Sequence, residues 1–546
     1  MTAHACDVAP APVRPRTTRR AACIAPCPTR VPQFLPEECD GEINSEVLAK
    51  ITTSGPELLR ALATAATDTD ACQAVDTAIV APGADEADTG HGGGGGITAL
   101  MLAARAGFSN CCVRLLEAGN DANAASASGC AALHFAALEG HHDVVAELLS
   151  SRWATGVNHA SRDQLTALHL ASRYGHEAVV RTLLSKRADA TLQIQDGRTP
   201  LYLAAVAGFE GIIQMLLERL PRDGAQRMPM IDVAREHDGD DKTALMACAA
   251  LGHVGALQLL LDANASVNAV SRKGSTALTL ASEDGHEKAV RVLLESGAEI
   301  DLAGQDSETA LMLACQYGHT QTARTLLWLG ASANKLDNVG TDALMRVCMY
   351  EQEEDSELIS LLLKHRAATS VTRISDGSSA LHLCAESQHN EGTRMILKAG
   401  ADPSLARNDG HLALTLAVAN GFESIVGLLL DGNADVNQPM CTGRGLTALM
   451  LAAEQGDVTL VRILLSAGAR TDLASPAGET ATSLAKAGGT KGHATVLARL
   501  KAAAKLEAGG GSLSAMHIPK VTISFSGGSH ELVGSHSSIY NGKARD

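Results

Sequence analysis

The feature that most constrains this chain is that it repeats itself. With Leu100 of Thr98-Ala99-Leu100 as a mark, the position recurs at Leu133, Leu168, Leu201, Leu245, Leu278, Leu311, Leu344, Leu381, Leu414 and Leu449, ending with Thr482. Seven of those eleven intervals are 33 residues; the others are 35, 44, 37 and 35. A fixed period of this length is the signature of units that cannot bury their apolar faces alone and must stack.

The best-formed copy shows what each unit is. Gly274-Ser275-Thr276-Ala277-Leu278 opens it, and Thr276 fits an N-cap whose hydroxyl meets a free amide of the first turn. Apolar residues line one face as far as Ala281, and Gly285-His286 ends the helix with a left-handed residue. A second helix carries Val290, Val292, Leu293 and Leu294, and Ser296-Gly297-Ala298 stops it. A loop of about ten residues then leads to the next copy. Each unit reads as loop, helix, turn, helix.

Helices of two or three turns are marginal alone in water, so neighbouring copies must supply the packing. Positions three and four after the mark are small: Ala103/Ala104, Ala136/Ala137, Ala171/Ser172, Ala204/Ala205, Ala281/Ser282 and Ala452/Ala453. Small side chains allow helices of successive layers to approach closely. This explains how a chain that is 45% hydrophobic can be only 2% aromatic. Twelve layers of helices about 10 Å thick would form an arc on the order of 100 Å long.

These residues resemble the ankyrin repeat. Thr199-Pro200-Leu201 and Ala167-Leu168-His169 match the start of that family's first helix, and Gly400-Ala401-Asp402 matches its end. The resemblance implies an all-α solenoid of about twelve stacked helix-turn-helix units with hairpin-like finger loops, flanked by disordered tails. It also implies a protein-binding scaffold or adaptor, whose partner lies on the concave face made by fingers and first helices. His134, His169 and His382 then stand where the family's histidines bond to backbone and hold the loop.

The expected organisation has four parts: a Pro/Arg-rich disordered arm, 1–42; a degenerate capping helix with an acidic and glycine linker, 43–91; the array, 92–508; and a flexible tail, 509–546. Arg14, Arg16, Arg19, Arg20 and Arg30 give the arm the bias of a transit peptide, but prolines at 10, 12, 15, 26, 28, 32 and 36 break the helix such a peptide needs. Ser54–Thr67 reads as the capping helix. Ile518–Phe525 is strand-like and reads either as a frayed tail or as a strand to add to a partner's sheet. Gly92–Gly96 does not read as a phosphate loop, because no Lys-Ser/Thr follows and the next helix is alanine-rich.

Departures from the period mark loops. The 44-residue interval holds an insertion within Glu218–Lys242, read as a surface excursion or a partner-contact loop. The 37-residue interval lengthens an inter-helix turn with Glu351–Glu357, a solvated acidic run. Of the two tryptophans, Trp153 lies in a lengthened finger and is an anchor if exposed, whereas Trp328 lies on a second helix and is expected to pack.

Catalysis and metal binding find little support. His141, His176, His253, His286, His319 and His493 recur in the inter-helix turn, where Phe108, Phe209 and Phe422 also stand. Recurrence at one position in separate layers is architecture. Cys248, Cys315, Cys348 and Cys384 replace small packing residues. Cys23, Cys27 and Cys39 lack the spacing of a zinc site, and thirteen unpatterned cysteines suit a reducing compartment. A net charge of -16 disfavours general nucleic-acid binding. Thr243–Leu261 lacks charges but carries Gly252-His253 at its centre, so no membrane span is expected.

The sequence therefore predicts a non-enzymatic, monomeric, intracellular array, in cytoplasm or nucleus, with no cofactor and an unidentified protein partner. Polar finger tips are its candidate contacts: Arg162, Asp163, Arg272, Lys273, Asp306, Asp337, Asn338, Arg407, Asn408 and Arg444, together with Trp153. A second reading places specificity in the tails, where Pro12-Val13-Arg14-Pro15-Arg16 fits a Pro-rich ligand.

Overall fold

A computed structural model describes residues 97–153, 155–220, 231–232, 241–304, 306–349 and 355–508, with two short strands beyond them. Among the described residues, twelve helix pairs follow one another, from Ala99–Arg105 with Ser109–Glu117 to Ala481–Ala487 with Lys491–Ala508. We number these repeats 1 to 12. First helices pack on the first helices of adjacent repeats, and second helices do the same.

Each repeat begins as its sequence demands. Thr276 is extended, and its hydroxyl accepts from the backbone N–H of Thr279 at 3.1 Å. The small residues after each marked leucine are buried: Ala103, Ala104, Ala136, Ala137, Ala204, Ala205, Ala452 and Ala453 have no exposed surface. Cys248 and Cys384 occupy the same buried layer, also without exposed surface. Leu115, Val145, Leu183, Ile213, Leu257, Val290 and Leu326 close the core from the second helices.

Three sets of directional bonds hold successive repeats in register. The first uses the turn histidines, which reach back to the preceding repeat. The Nε2–H of His141, His176, His253, His286, His319 and His493 donates to the carbonyls of Arg105, Leu138, Val206, Ala250, Glu283 and Glu454 at 2.8–3.1 Å. Because a carbonyl can only accept, these bonds require the proton on Nε2. Phe209 fills the same slot by shape alone, its ring lying against Gly175.

The second set is an asparagine ladder. Asn123, Asn158, Asn268, Asn334 and Asn437 each accept, through Oδ1, a backbone N–H of the next repeat: Gly156, Asp189, Glu299, Ala368 and Arg470. The amide nitrogens of Asn268, Asn334 and Asn437 also donate to the carbonyls of Gly297, Arg366 and Gly468.

The third set stitches the fingers. Each finger closes as a tight hairpin, as in Ser271 N–H to Ser275 carbonyl and Asp337 N–H to Thr341 carbonyl. Its tip then donates to the finger before it: Arg162 to Ser128, Gln195 to Asp163, Asn338 to Asp306, Ile374 to Val339, Asn408 to Asp376 and Cys441 to Gly410. Where these bonds form, adjacent fingers share an edge rather than standing as separate loops.

Of the insertion that follows the helices of repeat 4, residues 218–220, 231–232 and 241–242 are described; Ile231 is buried in the core and Asp232 accepts from the hydroxyl and N–H of Ser266. Of the acidic run 351–357, Asp355–Lys364 already forms the second helix of repeat 8, so its last residues extend that helix rather than the turn. The strand-like expectation at 518–525 narrows to Ile523–Phe525, which pairs antiparallel with Gly528–His530. The arm, the capping helix at 54–67, Cys23, Cys27 and Cys39 lie outside the described residues.

Candidate docking face of the fingers and first helices

The finger residues singled out from sequence do lie at the finger edge, but the structure divides them sharply. Arg162, Arg272, Lys273, Asp306, Asn338, Asn408 and Arg444 are exposed, and Asp163 is half-buried. Their backbones serve the stitching bonds described above, so several of them are architectural as well as accessible. Arg272 additionally pairs with Asp241 at 2.8 Å.

Asp337 is a correction. It is buried, with 6% of its surface exposed, because it organises its own finger. One carboxylate oxygen accepts from the N–H groups of Val339 and Thr341, and the other holds Arg346 at 2.6 Å. A carboxylate this committed is not free to meet a partner.

Trp328, expected to pack, is a second correction. Trp153 is half-buried and packs against the hydrophobic core. Trp328 is 73% exposed at the end of its helix. The equivalent helix-end positions carry Glu117, Ser185, Asp262, Glu295 and Lys398, all solvent-facing residue types, and that pattern was readable in the repeat register.

Carboxylate-clasped arginines mark one line along the fingers and first helices. Arg346 stands where the first helices of other repeats carry Leu102, Leu170, Leu280 or Leu383, and it meets Glu308, Asp337 and the Gln316 side chain. Burial works against its charge, and the hydrogen bonds to Asp337 and Glu308 outweigh that, raising its pKa. Arg407 faces Asp376, Glu386 and Asp409 at 3.4–3.7 Å. Arg444 meets Glu454 and Glu479 at 2.6 and 2.9 Å, and the bonds to Glu479 and then Glu454 raise its pKa further.

Two acids nearby are pushed toward their neutral form instead. Asp342 replaces the usual threonine cap, accepts from Met345 N–H at 2.8 Å, and is raised by burial to about 6. Glu283 is raised by burial and then by Asp284, and it faces the Tyr317 hydroxyl. Tyr317 is itself exposed at 45%.

Exposed apolar side chains were not anticipated at the fingers. Leu336 and Val339 in one finger and Ile374 in the next are 44%, 46% and 75% exposed. Val270 adds a further exposed side chain two fingers earlier. The residue before the finger glycine is elsewhere Ser128, Asp196, Lys273, Asp376 or Asp409, so Val339 departs from a polar pattern.

Among the described residues no three His, Cys, Asp or Glu side chains converge as a metal would require, and no helix is long and apolar enough to cross a membrane. The buried histidines His134 and His169 are committed to structure. His134 accepts Ala131 N–H through Nδ1 and donates from Nε2 to the Leu165 carbonyl, and His169 does the same with Thr166 N–H and the Leu192 carbonyl. His382 accepts Ser379 N–H through Nδ1.

A family model for ankyrin repeats in sets of three matches residues 62–163, 152–228, 230–304, 311–407, 352–440 and 414–505. The chain is 36% identical over 121 residues to the nuclear factor NF-kappa-B p105 subunit of Gallus gallus, covering 21% of this chain and 12% of that protein. It is 29% identical over 135 residues to the E3 ubiquitin-protein ligase KEG of Arabidopsis thaliana, covering 24% and 8%. It is 31% identical over 120 residues to the ankyrin repeat and KH domain-containing protein mask-1 of Caenorhabditis elegans, covering 22% and 4%. In each case the match spans a small fraction of the relative's length.

Proposed function

We propose, from the premise that this chain belongs to the ankyrin-repeat family, that it is a protein-binding adaptor whose partner docks across several repeats on the fingers and first helices. Repeats of this family are protein–protein interaction modules. The observation that carries the reading here is the exposed apolar set Leu336, Val339 and Ile374 on a rigidly stitched edge. Large apolar side chains on finger tips add nothing to the fold, and contiguous ones mark interaction surfaces.

On this reading the chain has no catalytic role and works as a single-chain array inside the cell. Its affinity comes from many modest contacts and charge pairing, since the array is poor in aromatic anchors. Tail-borne specificity is the competing arrangement. Deleting 1–42 and 509–546 while retaining the array distinguishes the two. Unchanged capture of the partner by the truncated chain is expected, and loss of capture assigns specificity to the tails.

A further inference from the structure

We infer that the finger edge of repeats 7 to 9 docks a basic polypeptide segment in which Lys or Arg alternates with apolar side chains. The inference deepens the adaptor reading and rests on it. Among the described residues, two observations join here and at no other finger pair. One is the apolar rim of Leu336, Val339 and Ile374, made continuous by the bond from Ile374 N–H to the Val339 carbonyl at 3.0 Å. The other is the excess of carboxylate behind that rim.

Behind the rim, Arg346 is shared between Glu308 and Asp337. Over the next two fingers, Arg373 and Arg407 face Asp376, Asp409 and Glu386. Each cluster holds one carboxylate more than its arginines. Asp306, exposed at the neighbouring tip, offsets the exposed Lys335. The arginines therefore fix the carboxylates in place without cancelling them. An acidic partner would be repelled by both clusters, and a neutral apolar one would leave their accessible carboxylates, Glu308, Glu386 and Asp409, without a partner cation.

Layers of packed helices repeat every 8–10 Å, which separates the two clusters by roughly 15–20 Å. An extended chain covers that in about five or six residues. The occupant thus needs cations about that far apart, with apolar residues between them for the rim.

The test uses the full chain and three fluorescent synthetic peptides of equal length: Leu/Val interleaved with Arg, the same with Glu, and Gly/Ser interleaved with Arg. Fluorescence anisotropy should show binding of the apolar–basic peptide only, weakening at least tenfold between low and physiological salt. V339S/I374S, two exposed positions whose change leaves the core intact, should weaken it at least tenfold. E386Q should weaken it several-fold with no change in thermal midpoint. Equal binding of the Glu peptide, or undiminished binding by V339S/I374S, overturns the inference. So does binding that appears only when residues 1–42 are removed, which assigns the groove to the chain's own arginine-rich arm. If V339S/I374S also captures the native partner as well as the parent chain does, the adaptor reading stands and this site alone fails.

Discussion

The ring of His286 lies so close beneath Gly252 that a Cβ on that glycine would sit 2.6 Å from its Nδ1. The same ring donates to the Ala250 carbonyl at 3.1 Å. A glycine with φ +69 and the histidine of the following repeat therefore form one joint. The family's Gly-His pair is usually met along the sequence; across the stack it is the Gly of one repeat and the His of the next that touch.

Gly252→Ala should be markedly destabilising. It imposes left-handed backbone on an L residue, at about 1–2 kcal/mol, and it forces the His286 ring out of its bond. Urea denaturation should show a loss of at least about 2 kcal/mol, with exchange of amides in repeats 5 and 6 accelerated first. Gly297→Ala, where no atom lies within 4 Å, should show only the backbone cost.

Acidification should weaken the array between neutral pH and about 4. Burial lowers His134, His169 and His382 to about 4, the last helped by Arg407. The unfolded chain binds protons below about 6.5 while these native rings do not, so stability rises with pH across that window and flattens below it. Each full shift is worth on the order of 3 kcal/mol. His169→Thr, copying Thr279 of repeat 6, should flatten the slope in a pH series of thermal midpoints.

Asn268→Ala should remove both ties of one ladder rung, to Glu299 N–H at 2.9 Å and to the Gly297 carbonyl at 3.3 Å. The expected cost is about 1–2 kcal/mol, with faster hydrogen exchange at Glu299. Asn268→Asp keeps the acceptor and should lose less. Equal losses in the two variants would mean that the carbonyl tie carries the rung.

The two tryptophans should report separately. Trp328→Phe leaves Trp153 emitting at shorter wavelength and protected from iodide, whereas Trp153→Phe leaves a red-shifted, readily quenched Trp328. Trp328→Lys should leave the thermal midpoint unchanged. A blue-shifted Trp328 would mean that the helix end is covered.

Thiol labelling should discriminate equally well. Burial, then the neighbouring Cys111, pushes Cys112 up to about 12, and burial does the same for Cys248. Cys441 is exposed at a finger tip. Among the described cysteines, native-state alkylation followed by mass spectrometry should modify Cys441 first, since only thiolates react.

The array was legible because its information is periodic. One marked leucine locates the helix starts, most of the small layers and most turn histidines, and a single misread copy changes nothing. Features that depend on which face a position takes were harder. The element alone suggests that Trp328 packs, yet it is exposed because the end of a second helix faces solvent at that register. Asp337 looked like one more polar tip, yet Arg346, nine residues on, had replaced a leucine and drew it inward. The asparagine ladder stands 23 residues after the mark at Asn123, Asn268, Asn334 and Asn437 and 25 after it at Asn158, but an asparagine in a loop looks like turn chemistry until its partner one repeat away is known.

The joints are not all alike, and this bears on how the array responds to force. Most turn rings donate a hydrogen bond, which fixes direction as well as distance. Phe209, between repeats 3 and 4, offers only a flat apolar surface against Gly175. Torque passing along the stack therefore meets one fewer angular restraint there than at His253 or His286. Pulled or twisted from its ends, the chain should yield at a phenylalanine seam, this one or that of Phe422, before it yields at one closed by a histidine.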